Sequence, residues 1–371
     1  MRFPEFHGEW EKCKLGDIAE FSTARISSVK LDCKNYVSTE NMLQDFQGVV
    51  EAKSVPNETN VISFTCGDIL ISNIRPYLKK VWKATFDGGC SSDVFVLQAT
   101  DTVAKDYLHY AVANDKFINY VMSGAKGVKM PRGDKNQMRT YQLSLPSIQE
   151  QYKIAKLLTL LDERIATQSK LIEKLESLIK GIVDSTISCK PKNSTIGYVC
   201  SVSEQIKAVP NFDDIITVRL HGKGVCKSSV ENLQLGATQY YHRKAGQLIY
   251  GKQNFHNGAI GIVPENLNNA ITSKDIPSFD IKSSKCNPLY LLIQLQSPHY
   301  YKPAESLTTG TGSKRLKEET FLKMPIFLPD KERQDSIATL ISSIMMKLNK
   351  ADKTLNLLIK QKQYLLRQMF I

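Results

Sequence analysis

Two loops of the sequence combine basic, amide and aromatic side chains within a few residues. Residues 73–80 read Asn-Ile-Arg-Pro-Tyr-Leu-Lys-Lys, and residues 252–257 read Lys-Gln-Asn-Phe-His-Asn. Arginine can form two hydrogen bonds to guanine, asparagine or glutamine can form two to adenine, and both lysine and arginine bind phosphate. Each loop follows a short apolar run that begins Gly-Asp-Ile or Gly-Gln-Leu. The sequence therefore predicts two equivalent loops that contact a nucleic acid.

Further basic side chains extend both candidate contact surfaces. In the first half, the candidate contacts are Asn73, Arg75, Tyr77, Lys79, Lys80, Lys126, Lys129, Arg132, Lys135 and Arg139. In the second half, they are Arg219, Lys223, Arg243, Lys252, Gln253, Asn254, His256, Lys314, Arg315 and Lys317. The alternative for any one of these residues is a solvated polar side chain without a ligand, because charged residues are mostly exposed.

The overall charge agrees with a polyanionic partner. The chain has 49 Lys and Arg against 37 Asp and Glu, a formal net charge of +12. A positive field attracts DNA or an acidic membrane surface, although many basic proteins bind neither. The eight cysteines are widely spaced, so neither a zinc site nor a disulfide framework is expected. With no secretory signal and no apolar run of about 18 residues, the sequence predicts a soluble cytoplasmic protein.

The chain repeats itself once. Leu145–Gln151 reads Leu-Pro-Ser-Ile-Gln-Glu-Gln, and 183 residues later Leu328–Gln334 reads Leu-Pro-Asp-Lys-Glu-Arg-Gln. The same offset relates Arg132 to Arg315. Near the start of each half the offset drifts by a few residues, as loop insertions would produce. Two repeats of about 180 residues predict two homologous domains, because the repeats of a solenoid are far shorter.

Each repeat begins with a region of mixed secondary structure. Short β-branched or aromatic runs broken by Gly and Asn are typical of strands. The predicted strands are residues 68–72 and 93–97, with residues 247–250 and 259–263 in the corresponding places of the second half. Helical stretches follow around residues 105–120 and 289–296. This order predicts an α+β fold with two homologous mixed α/β domains.

Each repeat ends in a long helix with a heptad seam, in which apolar residues recur at alternating spacings of four and three. Pro146 and Pro329 precede the helices, Ser147 and Asp330 are suitable N-caps, and Pro191 ends the first helix. Each helix is predicted to have roughly 40 residues and to span ~60 Å. The main seam residues are Ile154, Leu158, Leu161, Ile165, Ile172, Leu175, Ile337, Ile341, Ile344, Leu348, Leu355 and Leu358.

The two seams are predicted to pair with each other as an antiparallel coiled coil. Each seam is the only matching apolar stripe for the other, and antiparallel pairing would hold apart two globules that each precede their own helix. The alternative is that each helix belongs to the core of its own domain. The predicted division is two mixed domains, residues 1–146 and 191–329, and two helices, residues 147–190 and 330–371.

This arrangement resembles the specificity subunits of type I restriction–modification enzymes. The resemblance covers roughly residues 10–371 and rests on a globule, a Leu-Pro motif and a heptad helix, all repeated once. The motif continues as Gln149-Glu150-Gln151 in the first half and Glu332-Arg333-Gln334 in the second. A glycine-rich stretch with a basic residue precedes each motif, at residues 124–132 and 310–315.

The resemblance implies a function and a set of partners. Each mixed domain would be a target recognition domain that reads one half of a split, asymmetric double-stranded DNA sequence, and the helices would set the unread gap. Two modification subunits would dock on the helices, bind S-adenosylmethionine and methylate adenine. Restriction subunits, which use ATP and Mg²⁺, would cut unmethylated DNA. The chain itself is expected to hold no cofactor, no metal and no catalytic residue.

The motifs that favour an enzyme are weak. No Gly-x-x-x-x-Gly-Lys-Ser/Thr loop is present. Asn287-Pro288-Leu289-Tyr290 is similar to the Asn-Pro-Pro-Tyr motif of amino-methyltransferases, but the second proline is missing and a helix start explains the tetrapeptide better. Glu51-Ala52-Lys53 lacks the Pro-Asp partner of a metal nuclease. The remaining alternatives are a DNA methyltransferase or nuclease with its own recognition domains, and a coiled-coil scaffold that binds no DNA.

Overall fold

The computed structural model describes residues 2–209, 211–228, 238–310 and 314–370. The chain forms two compact units. Unit 1 comprises Met1–Ser169 and Lys353–Ile371, and unit 2 comprises Lys170–Asp352. Each unit therefore holds one mixed globule together with a part of each long helix. The finer division of the chain into two domains and two helices stays a prediction.

The first half of the chain contains ten strands and five helices among its described residues. The strands are β1 (Glu11–Lys14), β2 (Ala19–Phe21), β3 (Arg25–Ser27), β4 (Tyr36–Val37), β5 (Asn60–Phe64), β6 (Ile69–Ser72), β7 (Val81–Lys83), β8 (Gly88–Cys90), β9 (Val94–Ala99) and β10 (Gln142–Leu145). The helices are α1 (Leu15–Ile18), α2 (Lys105–Val112), α3 (Asp115–Ser123), α4 (Lys135–Arg139) and the long α5 (Ile148–Val183).

The central strand of unit 1, β6, is buried on both faces. It lies in an antiparallel sheet of order β2-β9-β6-β7. Ile69 and Ile71 belong to the core that the sheet forms with the helices, whereas Leu70 packs with Val94 and Val96 in a core shared with the second sheet, of order β3-β5-β8-β4. Because successive side chains of a strand point to opposite faces, a strand covered on both faces has an unbroken apolar sequence.

The second half of the chain contains eleven strands and five helices among its described residues. The strands are β11 (Ser194–Thr195), β12 (Cys200–Val202), β13 (Lys207–Ala208), β14 (Ile216–Val218), β15 (Val225–Lys227), β16 (Tyr240–Arg243), β17 (Leu248–Tyr250), β18 (Ile260–Ile262), β19 (Ala270–Ser273), β20 (Ser278–Ile281) and β21 (Pro325–Ile326). The helices are α6 (Ile196–Val199), α7 (Pro288–Leu295), α8 (Pro298–Tyr301), α9 (Glu318–Lys323) and the long α10 (Lys331–Met369).

Unit 2 repeats the main sheet of unit 1. Its strand order contradicts one correspondence between strands that the sequence predicted. The order β12-β20-β17-β18 places β17 where unit 1 has β6, and β20 where unit 1 has β9. Matching residues 259–263 with residues 93–97 was therefore wrong, because β18 is the hairpin partner of β17, as β7 is of β6. Both segments are short apolar runs, and such a run does not record which strand it pairs with.

The predicted helical stretch of the first half divides into two helices, α2 and α3. Asn114 interrupts the stretch with an extended backbone, and its side chain accepts a hydrogen bond from the Phe117 N–H. Asparagine is among the preferred N-caps because its side-chain oxygen satisfies a free N–H of the first turn. The mixed α/β character of both halves is nevertheless as predicted.

Both long helices form at the predicted places. α5 has 36 residues and α10 has 39. The two predicted N-caps are confirmed, because Ser147 Oγ accepts from the Glu150 N–H at 3.4 Å and Asp330 Oδ1 accepts from the Arg333 N–H at 2.8 Å. Beyond the end of α5, the helical backbone continues as a π-helical turn to Ser188.

In unit 1, the first part of α5 packs against the last part of α10. Ile154, Leu158 and Leu161 lie in the same core cluster as Leu358 and Leu365. In unit 2, the last part of α5 shares a core cluster with the first part of α10. Every seam residue named above is buried or half-buried, which is the burial that a heptad seam requires.

Two contacts give the relative direction of the helices in unit 1. Lys362 forms an ion pair with Asp162, well inside α5. The Phe370 ring, just past the end of α10, lies 5.1 Å from the Tyr107 ring, whose hydroxyl donates to the Ser144 carbonyl just ahead of α5. Moving forward along α10 therefore means moving back along α5, so the two segments are antiparallel in this unit.

A buried glutamine fastens α5 to the globule of unit 1. The Gln151 Oε1 accepts from the Ala104 N–H at 2.8 Å, at the start of α2. The Gln151 Nε2 donates to the Pro146 carbonyl at 2.9 Å and to the Thr102 carbonyl at 3.3 Å. Gln151 is only 1% exposed, so these hydrogen bonds form out of contact with water.

Gln334 makes the same three hydrogen bonds in unit 2. Its Oε1 accepts from the Asn287 N–H at 2.9 Å, and its Nε2 donates to the carbonyls of Pro329 at 2.8 Å and Lys285 at 3.3 Å. A side-chain amide can donate and accept at once, which neither a carboxylate nor an ammonium can do. The final glutamine of each Leu-Pro motif is thus a structural clamp between a long helix and its globule.

We expect Gln151→Ala to lower the free energy of unfolding by about 2–4 kcal/mol, because it leaves more than one backbone group of the clamp unpaired and each costs about 1–3 kcal/mol. Urea unfolding of the full chain measures this loss. The matched control is Gln149→Ala, which removes an exposed amide from the same helix turn and should change stability by less than about 0.5 kcal/mol. Equal losses in both variants would contradict the clamp.

A second stability term comes from His109 on α2. Its Nδ1 is enclosed and has no hydrogen-bond partner among the described residues. Burial lowers the pKa of this imidazole to about 4, and the positive charges of Lys362 and Lys83 act in the same direction. The folded protein therefore holds His109 neutral at a pH where the unfolded chain, with a pKa near 6.5, takes up a proton.

Because the folded pKa is depressed, the stabilisation from neutral His109 is complete above about pH 6.5 and is lost as the pH falls towards about 4. We expect His109→Gln to remove up to about 2 kcal/mol of this acid dependence. Urea unfolding across this pH range measures it, with the exposed His7→Gln as control. An unchanged acid dependence in His109→Gln would show that another group is responsible.

Candidate nucleic-acid interface

Recognition loop 1, residues 73–80, leaves the main sheet of unit 1 at the end of β6. The Asn73 N–H donates to the Asp93 carbonyl at 2.8 Å and fixes the start of the loop. A short 3-10 turn follows, flanked by Arg75 and Lys79, which have left-handed φ angles of 49° and 54°. Residues other than glycine rarely adopt this conformation, so the neighbouring contacts must hold the loop in place.

A hairpin that ends in an arginine packs beside recognition loop 1. In this segment, arginine hairpin 1 (residues 126–132), Lys126 and Arg132 exchange backbone hydrogen bonds of 3.1 and 2.9 Å. The Arg75 N–H donates to the Pro131 carbonyl at 2.8 Å and joins the loop to the hairpin. The structure therefore brings two separate groups of predicted residues onto one surface.

Asp93 connects both segments to the sheet. Its backbone carbonyl accepts from the Asn73 N–H, and its carboxylate lies 3.3 Å from the Arg132 Nη1. The Arg132 side chain is 55% exposed, so the guanidinium is oriented by the carboxylate while it still faces solvent.

Unit 2 repeats this arrangement. In recognition loop 2, residues 252–257, the Lys252 N–H donates to the Asp275 carbonyl at 2.9 Å. The Asp275 carboxylate accepts from the Arg315 Nη2 at 3.1 Å. Thr309 and Arg315 exchange backbone hydrogen bonds of 3.0 and 2.9 Å, and the described residues 309–310 and 314–315 are called arginine hairpin 2. Residues 311–313 of its glycine-rich stretch lie outside the described residues.

Two further features are the same in both hairpins. Gly127 and Gly310 occupy equivalent positions and have positive φ angles of 98° and 129°, a backbone region that favours glycine. The residue after each arginine donates its N–H to the first residue of the recognition loop: one bond joins Gly133 to Asn73 at 3.0 Å, and the other joins Leu316 to Lys252 at 2.9 Å. The same backbone hydrogen bond therefore forms in both units, although the residues that it joins differ in side chain.

The predicted residues of unit 1 fall into two groups. Half-buried lysines have protein partners: Lys79 pairs with Asp115, the Lys80 Nζ donates to the Thr39 carbonyl at 2.6 Å, and the Lys135 Nζ lies 4.7 Å from the centre of the Phe95 ring. Burial lowers the pKa of both Lys80 and Lys135. Arg139, on α4, is exposed and its guanidinium lies over the Phe21 ring. The other exposed residues are Arg75, Tyr77, Lys126, Lys129 and Arg132.

In unit 2, a third segment lies against recognition loop 2. The His221 N–H donates to the Asn257 carbonyl at 2.7 Å, which brings Arg219 and Lys223 close to the loop. The half-buried Lys252 pairs with Glu318 at 2.9 Å. His256 is half-buried, and the exposed predicted residues are Arg219, Lys223, Gln253, Asn254, Lys314, Arg315 and Lys317.

The prediction that Arg243 contacts DNA is wrong, because this side chain is fully buried. Its guanidinium donates to Thr272 Oγ1 at 2.7 Å, Ser278 Oγ at 3.0 Å and the Ile276 carbonyl at 3.0 Å. Burial lowers the pKa of Arg243 to about 10, which still leaves it charged at neutral pH. Arg243 therefore holds strands of unit 2 together from inside.

Several polar groups of the interface were not predicted from the sequence. Asp93 and Asp275 orient the hairpin arginines, and their offset of 182 residues would have revealed them as a repeated pair. The Asn73 Oδ1 and the His256 Nδ1 are buried without a hydrogen-bond partner among the described residues. Both atoms lie in the recognition loops, and no pattern in the sequence indicates that they are enclosed.

The tetrapeptide at Asn287 begins a helix, as predicted. The Asn287 side chain accepts from the backbone N–H groups of Leu289 and Tyr290 and caps α7. Tyr290 is fully buried and donates to the Phe327 carbonyl at 3.0 Å, so its ring is not available to stack on a base.

The described part of the chain offers neither a metal site nor a membrane-spanning helix. No group of three or more His, Cys, Asp and Glu side chains there is placed to hold a metal ion. None of the helices in the same ranges is both long and apolar enough to cross a bilayer.

Residues 7–177 match the family of type I restriction modification DNA specificity domains. The chain is 23% identical to the MjaVIII type I restriction enzyme specificity subunit of Methanocaldococcus jannaschii, over 92% of this chain and 88% of that protein. It is 22% identical to the EcoDI specificity subunit of Escherichia coli, over 50% of this chain and 42% of that protein.

Solved structures share the fold. The S subunit of a type I restriction–modification system from M. genitalium matches with a TM-score of 0.64 over 100% of this chain and 99% of that one, at 12% identity. A chain from a structural study of complex assembly and conformational transition in a type I system matches with a TM-score of 0.55 over 98% of both chains, at 16% identity.

The burial of Arg243 predicts that its loss affects stability and not DNA affinity. We expect Arg243→Ala to lower the free energy of unfolding by about 2–4 kcal/mol, because it leaves a cavity and unpaired polar groups. Urea unfolding measures this effect. Below the unfolding midpoint, the salt dependence of DNA binding should equal that of the unmodified chain. A loss of DNA affinity without a loss of stability would contradict this role and indicate that Arg243 contacts DNA.

Proposed function

Because this chain belongs to the specificity subunits of type I restriction–modification systems, we propose that each of its two units recognises one half of a split, asymmetric DNA target. One observation carries the proposal: each unit holds an exposed loop of basic, amide or aromatic residues against an arginine hairpin through equivalent hydrogen bonds. The same support with different exposed side chains suits a target whose two halves differ in sequence.

The proposed DNA contacts are the predicted residues that the structure leaves exposed on these surfaces. In unit 1 they are Arg75, Tyr77, Lys126, Lys129 and Arg132; in unit 2 they are Arg219, Lys223, Gln253, Asn254, Lys314, Arg315 and Lys317. The half-buried lysines would have to give up their contacts with protein groups in order to bind DNA. We therefore propose that they support the surface and do not contact DNA directly.

We propose that catalysis belongs to partner subunits. Two modification subunits would dock on α5 and α10 and methylate adenine with the S-adenosylmethionine they bind, and restriction subunits would use ATP and Mg²⁺. Exposed apolar side chains support docking on the helices: Leu160 and Leu357 are 49% and 66% exposed in unit 1, and Leu178 and Leu340 are both 50% exposed in unit 2. Apolar groups left in water on a helix favour contact with another protein.

We propose that the protein acts in the cytoplasm, where its DNA target lies. All eight cysteines are free thiols, the form that a reducing compartment maintains. The chain would set the DNA sequence at which its partners act and would itself bind neither cofactor nor metal.

Exchanging residues 1–145 for those of a relative with a different target should change only one half of the methylated sequence. Adenine methylation mapped by single-molecule sequencing, in cells with their cognate modification subunits, measures the outcome. The controls are the unmodified gene and its deletion, which should abolish a single split motif. A change in both halves would contradict the assignment of one half-site to each unit, and persistence of the motif after deletion would contradict the proposed function.

A further inference from the structure

The two units differ in their recognition loops and agree in their arginine hairpins. The loops align without a gap, since the 3-10 turns at residues 76–78 and 255–257 each begin seven residues after the first residue of the preceding strand, β6 or β17. The aligned exposed position is Arg75 in unit 1 and Asn254 in unit 2. One is a guanidinium and the other an amide, so the base chemistry available at this position differs between the units.

The hairpin arginines show no such difference. Arg132 and Arg315 occupy the same position, close the same backbone pairing and meet a carboxylate through one nitrogen, at 3.3 and 3.1 Å. Both side chains are about half exposed, 55% and 46%. Chemistry that is the same in both units cannot distinguish two half-sites of different sequence.

We infer that Arg132 and Arg315 bind DNA phosphates, and that Arg75 and Asn254 read bases, so that each unit divides backbone binding from base recognition. This inference rests on the proposed function. Contacts to phosphate position a protein on the duplex without reading sequence, whereas base identity is read at the groove edges. Arginine is the side chain that most often binds guanine, and asparagine pairs with adenine through two hydrogen bonds.

The aspartates have a defined part in this division. A guanidinium has five N–H donors, and the contact with Asp93 or Asp275 engages one nitrogen in each case. The carboxylate therefore fixes the plane of the guanidinium and leaves its other donors for a phosphate. The first residue of each recognition loop donates to the carbonyl of the same aspartate, so the phosphate contact and the base-reading loop keep a fixed spacing.

The test uses the purified full chain, a duplex library with randomised sequence, and affinity titrations between about 50 and 200 mM salt. Arg132→Gln and Arg315→Gln should each reduce the steepness of log affinity against log salt by about 0.9, the value for one phosphate contact. The selected sequence motif should stay the same. Affinity should fall by the same factor on every duplex.

Variants of the loop should behave in the opposite way. Arg75→Ala should relax the motif at one position of one half-site, and Asn254→Ala should relax one position of the other half-site. Arg132→Lys should keep both the salt dependence and the motif, because a lysine still pairs with phosphate but cannot replace arginine in two hydrogen bonds to guanine.

Two controls separate phosphate binding from a structural role of the ion pair. Asp93→Asn breaks the same pair but keeps the arginine, so it should not reduce the salt dependence. Lys83→Gln removes one positive charge of unit 1 from a half-buried pair with Asp106, outside the hairpin, and should leave both readouts unchanged. An equal loss in Asp93→Asn and Arg132→Gln, or a motif position lost in Arg132→Gln, would overturn the inference.

The unmodified chain distinguishes this inference from the proposed function. Selective binding to a split motif supports the function and lets the variants decide the inference. The unmodified chain could instead bind DNA without any sequence preference, while both arginine variants still reduce the salt dependence. That result would contradict the proposed function but support the phosphate contacts of Arg132 and Arg315. A chain that binds no DNA would overturn both.

Discussion

In each unit a buried side-chain amide fastens the globule to the start of its long helix. Gln151 and Gln334 each accept from a backbone N–H of the globule and donate to the carbonyl of the proline before the helix. An apolar contact alone could slip or rotate at little cost, whereas a buried amide with unpaired groups is destabilising. The clamp therefore holds the globule of each unit, with its sheet, recognition loop and arginine hairpin, in a fixed position relative to the start of the long helix.

The repeated hydrogen bonds explain how one fold can support two different binding surfaces. The contacts common to both units are mainly backbone to backbone, or run from a carboxylate to an arginine, so they do not depend on most loop side chains. The exposed positions between these contacts can change without loss of the support. Arg75 and Asn254 are such a pair, in aligned loops with different side chains.

Charge by itself is a poor guide to which basic residues face a ligand. The net charge of +12 indicates a polyanionic partner, but it does not indicate where the charges lie. Arg243 is enclosed because three protein oxygens replace its water, and Lys252 is half-buried beside Glu318. Burying a charge is costly unless such partners are present, and those partners come from distant parts of the chain.

The sequence alone determined the repeat, the α+β character, both long helices and their N-caps, because apolar period and capping chemistry are local properties. It also placed the two recognition loops after their strands. Only the tertiary structure decided that β18 pairs with β17 and that Arg243 is buried. It also decided that Asp93 and Asp275 orient the hairpin arginines. These features depend on which strands and side chains meet in the folded chain, which a local pattern of residue types does not record.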